Sequence, residues 1–190
     1  MDGVLVDLYG YLAEKWGVTS EEIHTHSPVI FGMYTEWLQN TGPVEAFAAP
    51  CPLFKEDMER LIFSAWMAGV KVEILSYLGD ERPAEVRQGK ERWLHTHFPV
   101  FMERGIISRV NFVEKISDKI KFAREGAILI DDNASNVNSF REAGGQGVLY
   151  QVESHQEMLR EVYCLLGLGS LLGLGSLLGL GNVDTLVRGR

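Results

Sequence analysis

Apolar residues change their spacing several times along the chain, and each change predicts an element. Leu5, Leu8, Leu12 and Trp16 recur at helical intervals and predict a helix over residues 4–16. Thr19-Ser20-Glu21-Glu22 has the make-up of a helix start, with hydroxyls able to cap and acids in the first turn. Gly42-Pro43 and Pro50-Cys51-Pro52 punctuate the next stretch, after which Met58, Leu61, Ile62, Ala65 and Trp66 return to helical spacing. The period then switches. Val70 to Leu75 is a short β-rich run after Gly69 that stops at Ser76. A helix is predicted through Arg87 to His95, and a weaker strand from Arg109 to Val113. The strongest strand signal is Gly126-Ala-Ile-Leu-Ile130, ending abruptly in Asp131-Asp132. A helix over Val137 to Ala143, stopped by Gly144-Gly145, and a last short strand over Gly147 to Tyr150 complete the pattern.

Strands alternating with helices predict an α/β fold, a Rossmann-like parallel sheet with helices on both faces. The expected organisation is a core of residues 1–16 and 68–163, a small helical cap insert over 17–67, and a tail over 164–190. The tail is a six-residue repeat: Cys164-Leu-Leu-Gly-Leu-Gly, then Ser170 and Ser176 each heading the same five letters. Frequent glycine disfavours a helix by roughly 1 kcal/mol per residue, and no run of about 20 apolar residues exists to span a membrane. The tail therefore reads as low-complexity extension without chemistry.

Composition narrows the partners. A formal net charge of -8 argues against a nucleic acid polymer, while leaving room for one positive pocket that takes a small anion. Two cysteines, Cys51 and Cys164, make no disulfide framework, and nothing resembles a secretory signal, so the cytoplasm is the expected compartment. In parallel sheets, sites form at the carboxyl ends of strands. Three such ends carry polar groups: Asp2 in the opening Met1-Asp2-Gly3-Val4, Ser76, and Asp131 with Asp132. Lys119 and Lys121 lie between the last two. Carboxylates suit a hard cation, and a hydroxyl and an ammonium neutralise phosphoryl oxygens as charge moves, so this set points to magnesium-assisted phosphoryl transfer.

In that order the motifs resemble the haloacid-dehalogenase-like phosphatases, and within them the 5'(3')-deoxyribonucleotidase-like branch. Asp2-Gly3-Val4 resembles the end of the first motif, Ser76 the second, Lys119 the third, and Asp131-Asp132 with Asn136 the fourth. Lys90 and Trp93-Leu94 are similar to the nucleotidase branch, and the resemblance spans about residues 1–150. It implies hydrolysis of a (deoxy)nucleoside monophosphate with Mg2+ through an aspartyl-phosphate. Asp2 would be the general acid and touch the metal, and Gly3, Ser76 and Lys119 would hold the phosphoryl group. Asp131 and Asp132 would hold the metal, with Asn136 bracing the loop and Lys121 the alternative to Lys119. The nucleophile of the resemblance stands two places before Asp2, where this sequence has no residue. The expectation is thus a shortened product, its first strand incomplete, that begins inside its own site. Two alternatives stand beside it: a phosphatase of another small phosphate ester, and an inactive remnant that binds phosphate or magnesium.

Other groups have plainer readings. His24 with His26 and His95 with His97 are spaced for a shared zinc only on a strand, and neither stretch reads as one. Phe31, Tyr34, Trp37 and Phe47 suit a base-stacking pocket or, more simply, the insert's own core. Cys51 has no base near it in sequence and reads as no nucleophile.

Overall fold

The computed structural model describes residues 1–19, 22–23 and 27–169. His24, His26 and the tail from residue 170 onward lie outside them. The first six residues are not helical. Met1 O accepts from the amides of Val4, Leu5 and Val6 at 3.2, 2.8 and 3.3 Å, so the chain opens as a tight turn. The predicted helix over 4–16 starts only at Leu8, because Asp7 caps it: Asp7 Oδ1 accepts from Gly10 N at 2.9 Å. Leu5 is buried beneath the turn, which is why its apolar character looked like a helical repeat.

Helix α1 covers Leu8–Trp16, α2 Pro28–Thr41, α3 Pro43–Ala48 and α4 Lys55–Met67. Thr19 and Glu22 form the reciprocal cap expected of a helix start, with Glu22 N on Thr19 Oγ1 at 3.2 Å and Thr19 N on Glu22 Oε2 at 2.8 Å. Strand β1 (Val72–Tyr77) leads to α5 (Pro83–His97), α6 (Pro99–Glu103) and β2 (Ile107–Val113). A 3-10 helix over Ile116–Phe122 precedes β3 (Ile128–Asp131), α7 (Ala134–Glu142), β4 (Gln146–Leu149) and α8 (His155–Leu165).

The chain is α/β and its strands pair in parallel, as the alternation predicted. The single sheet is divided, however. Among the described residues β1 pairs only with β2, and β3 only with β4, giving two sheets of two strands. Apolar periodicity says that a segment is a strand without saying which neighbours it finds, so this division was not legible in the pattern. Helix α4 stands against the strands rather than apart from them, since Met58, Leu61, Ile62 and Ala65 share a cavity lining with β1 and β3. Helix α3 packs on α5. There Trp93, Leu94 and Phe98 are wholly buried and Trp93 Nε1 donates to Pro50 O at 2.7 Å. Among the described residues, no helix is long and apolar enough to cross a membrane.

Helix α5 meets α3 at Gly89, where an added Cβ would lie 2.7 Å from Val44 O, 2.9 Å from Pro43 O and 3.0 Å from Phe47 Cβ. Gly89→Ala is expected to force the two helices apart at a cost of about 1–3 kcal/mol, the usual range for overpacking. Urea denaturation measures it; an unchanged midpoint would mean that this contact does not set the helix spacing.

Candidate functional site

Local geometry brings several chemically useful side chains to one rim. β1 ends in Ser76-Tyr77 and β3 ends in Asp131, so both present polar groups at their carboxyl ends. Helix α5 supplies Lys90, one of the most buried side chains in the protein at 1% exposure. Its Nζ donates to Asp2 Oδ2 at 2.6 Å, to Ser76 Oγ at 2.9 Å and to Tyr77 O at 2.5 Å, which uses all three ammonium protons. The same ammonium stands 5.1 Å from the centre of the Phe47 ring.

A second buried pair lies beside the first. Lys119, on the 3-10 helix, donates to Asp131 Oδ2 at 2.6 Å. Asp131 Oδ1 accepts from Asn136 Nδ2 at 2.9 Å and from Asn133 N at 3.0 Å. Asn133, rather than either acid, caps α7, accepting from Ser135 N and Asn136 N at 2.9 and 3.2 Å. The two lysines differ in burial: Lys121 points outward to Asp118 at 2.8 Å with its side chain 68% exposed, while Lys119 is buried.

Gly3 joins Asp2 to Asp132. Its φ of +71° suits glycine, and a Cβ there would fall 2.0 Å from Asp132 Oδ2 and 3.1 Å from Tyr9 Cε2. Only glycine lets the Asp132 carboxylate approach the opening turn. Burial pushes Asp132 upward, and the neighbouring Asp131 carboxylate adds to this against the pull of the Met1 ammonium. Burial also raises the Tyr9 hydroxyl, reinforced by Asp132. For Asp2, burial alone would raise the carboxyl, but the Lys90 ammonium and then the Met1 ammonium outweigh it and hold it below the usual range.

Asp2, Gly3, Ser76, Lys119, Asp131, Asp132 and Asn136 thus border one region, and Lys90 joins them. Lys90 appeared in the sequence only as a point of resemblance, although it stands in the apolar stripe Val86, Gly89, Trp93, Leu94. A lysine on the buried side of a helix is itself a signal, because it needs an anion nearby.

For a divalent cation the donor set fits in part. Asp2 Oδ1 is buried with no hydrogen-bond partner among the described residues, an oxygen left open to a cation. Among the described residues, however, no three His, Cys, Asp or Glu side chains converge as a ready cage, because Asp2 and Asp131 each turn toward a lysine. His95 and His97 sit two apart on a helix, where they diverge, and His97 packs on Trp93 with ring centres 4.7 Å apart. Trp37 and Phe47 are buried in an aromatic cluster with Tyr11, Trp16 and Tyr34, whereas Phe31 is 64% exposed. Cys51 and Cys164 are exposed and free.

Comparison with protein-family models, curated proteins and solved structures returns no match for this chain.

Two outcomes test the electrostatics. Lys90→Met leaves Asp2 and Ser76 without their shared donor and is expected to cost about 3 kcal/mol in urea denaturation; a loss under about 0.5 kcal/mol, the surface range, would contradict it. Because the folded-state Asp2 carboxyl is depressed, its stabilisation is fully present above the ordinary Asp value and is lost as pH falls through the folded one. Denaturation midpoints should therefore drop on acidification below about pH 4, and Asp2→Asn should remove part of that drop. An identical acid limb in the variant would show that Asp2 is not held as an anion.

Proposed function

We propose that this chain is built to hold a small phosphate ester, most fittingly a nucleoside monophosphate, for magnesium-dependent hydrolysis of the haloacid-dehalogenase-like kind. One observation carries the reading. Two buried lysines reach the strand ends, Lys90 hydrogen-bonded to Asp2 and the Ser76 hydroxyl and Lys119 to Asp131. Buried ammonium groups and a hydroxyl at the end of a parallel sheet are the groups that neutralise phosphoryl oxygens.

Each residue has a part. Ser76 Oγ donates to a phosphoryl oxygen. Lys119, now on Asp131, is near enough to an acid that it can be shared between that acid and a phosphate. Asp131, Asp132 and Asp2 would hold the magnesium ion, which when bound would offset the charge of the phosphoryl oxygens. Asn136 keeps the Asp131 carboxylate oriented. Asp2 is the acid for the leaving oxygen only when it can take up a proton, and the Lys90 ammonium opposes this as long as the two are paired. The engagement of Asp2 by Lys90 favours, as a second reading, a site that binds phosphate without turning it over.

Phosphate release separates these readings. The chain as it stands and a form extended ahead of Met1 by an apolar strand ending in Asp are compared with Mg2+ and a panel of nucleoside monophosphates and sugar phosphates. The extended form is expected to release phosphate from nucleotides, and Lys119→Met to lower its kcat by about a hundredfold or more. Silence from both forms with retained inorganic phosphate binding supports the binding reading. Failure of both forms to bind inorganic phosphate overturns the phosphate site altogether.

A further inference from the structure

Between β1 and β3 lies a cavity of about 380 Å3. Consecutive residues of both strands touch it: Val72 to Leu75 on one side and Ile128 to Ile130 on the other. Successive strand residues point to opposite faces, so a cavity reached by consecutive ones abuts the strand's edge rather than a face. In a parallel ladder half of each strand's backbone groups turn to either side. Among the described residues β1 has only β2 as partner and β3 only β4, and no backbone hydrogen bond joins β1 to β3. The cavity-side amides and carbonyls of both strands therefore find no backbone partner among those residues. Folded proteins pair nearly all such groups, so the two edges call for an occupant.

Direction, chemistry and access together define what fits. Both strands carry their carboxyl ends to the rim where Asp2, Ser76 and Asp131 lie, so one inserted strand can pair in parallel with both edges at once. Apart from Asn111, the polar residues of the lining are Lys71, Glu73, Arg124 and Glu125, all toward the amino ends of the strands. Two cations and two anions give a charged ligand no net attraction, and Glu73 is already taken by Lys71 and Asn111 at 2.8 and 2.7 Å. The remaining lining is apolar, with walls from α4, α7 and α8. An oily small molecule fills such a volume but leaves the edge amides and carbonyls unpaired. An extended apolar peptide satisfies both requirements, because a parallel strand covered on both faces is a continuous apolar run. Access is open as well: Val72, Leu75, Ile128 and Ile130 are only half-buried, so a peptide can reach the edges from solvent. From Lys71 to Leu75 the slot accommodates about five extended residues, roughly 17 Å. We propose that this slot takes an uncharged, apolar segment of about that length from another polypeptide, added as a parallel strand between β1 and β3. The inference does not depend on the phosphatase reading, and its test reads no activity.

Hydrogen exchange of the unaltered full chain tests it, alone and with each of two synthetic peptides in excess. One peptide has five alternating valines and isoleucines between lysine pairs that keep it soluble. The other has the same ends but proline at the second and fourth of the five places, so it stays apolar and cannot complete a ladder. The first peptide is expected to slow exchange of the cavity-side amides of β1 and β3 about tenfold or more, with the outward-facing amides of β2 and β4 unchanged. The proline peptide is expected to change none of them. Equal protection by both peptides overturns the proposal in favour of an apolar ligand without strand pairing, and protection by neither overturns it outright. Slow exchange of these amides before any peptide is added also overturns it, because the slot is then already filled, by a second copy where the protection rises with protein concentration. Protection seen only when the same strand is fused ahead of Met1 overturns it in favour of a joined segment.

Discussion

A lysine ammonium can be buried only if anionic or carbonyl oxygens replace its water, and at Lys90 this requirement organises the rest of the site. Stripping an ammonium of water costs several kcal/mol, so all three of its protons must find partners. They come from Asp2 in the opening turn, and from Ser76 and Tyr77 at the end of β1. One side chain of α5 thereby joins the first residues of the chain to a strand some seventy positions later. The turn that carries Asp2 must then stay tight, which the three amides on Met1 O achieve, and Gly3 must remain glycine for Asp132 to fit against it. Lys119 and Asp131 repeat the arrangement at the end of β3.

This pairing also limits the chemistry. A carboxylate held by an ammonium stays ionised, which suits anchoring and cation binding and opposes proton donation. A phosphoryl group arriving beside Ser76 would compete with Asp2 for Lys90 and with Asp131 for Lys119. The two pairs are therefore charge-balanced as they stand, and the proposed phosphate ligand would have to rearrange both. Asp132 and Tyr9 lie next to this centre with raised proton affinity, so the rim also holds groups able to keep a proton.

Much of this was legible from residue order, for reasons that differ by element. β3 was plain because an apolar run ends in two acids, and Ser76 and Asp131 could be placed because parallel strands deliver their carboxyl ends to one edge. The resemblance favoured Lys119 over Lys121, and the two differ in burial. The opening was misread as helix because Leu5 supports a turn, and local apolar spacing does not distinguish the two. Lys90 was underweighted because a lysine is ordinarily solvated; the apolar neighbours at Val86, Trp93 and Leu94 were the available sign. The division of the sheet was not legible at all, since strand pairing depends on residues distant in sequence.

The most direct test of the paired-lysine site is the nitrogen-15 spectrum of the lysine side chains during titration with inorganic phosphate and magnesium. Ammonium groups shielded from water exchange slowly enough to be resolved, so Lys90 and Lys119 should be visible. Both signals are expected to move together and saturate with one affinity, while that of Lys121 stays in place. Movement of exposed lysines alone, or of neither buried one, would contradict a shared phosphate site and leave the two pairs as supports of the fold only.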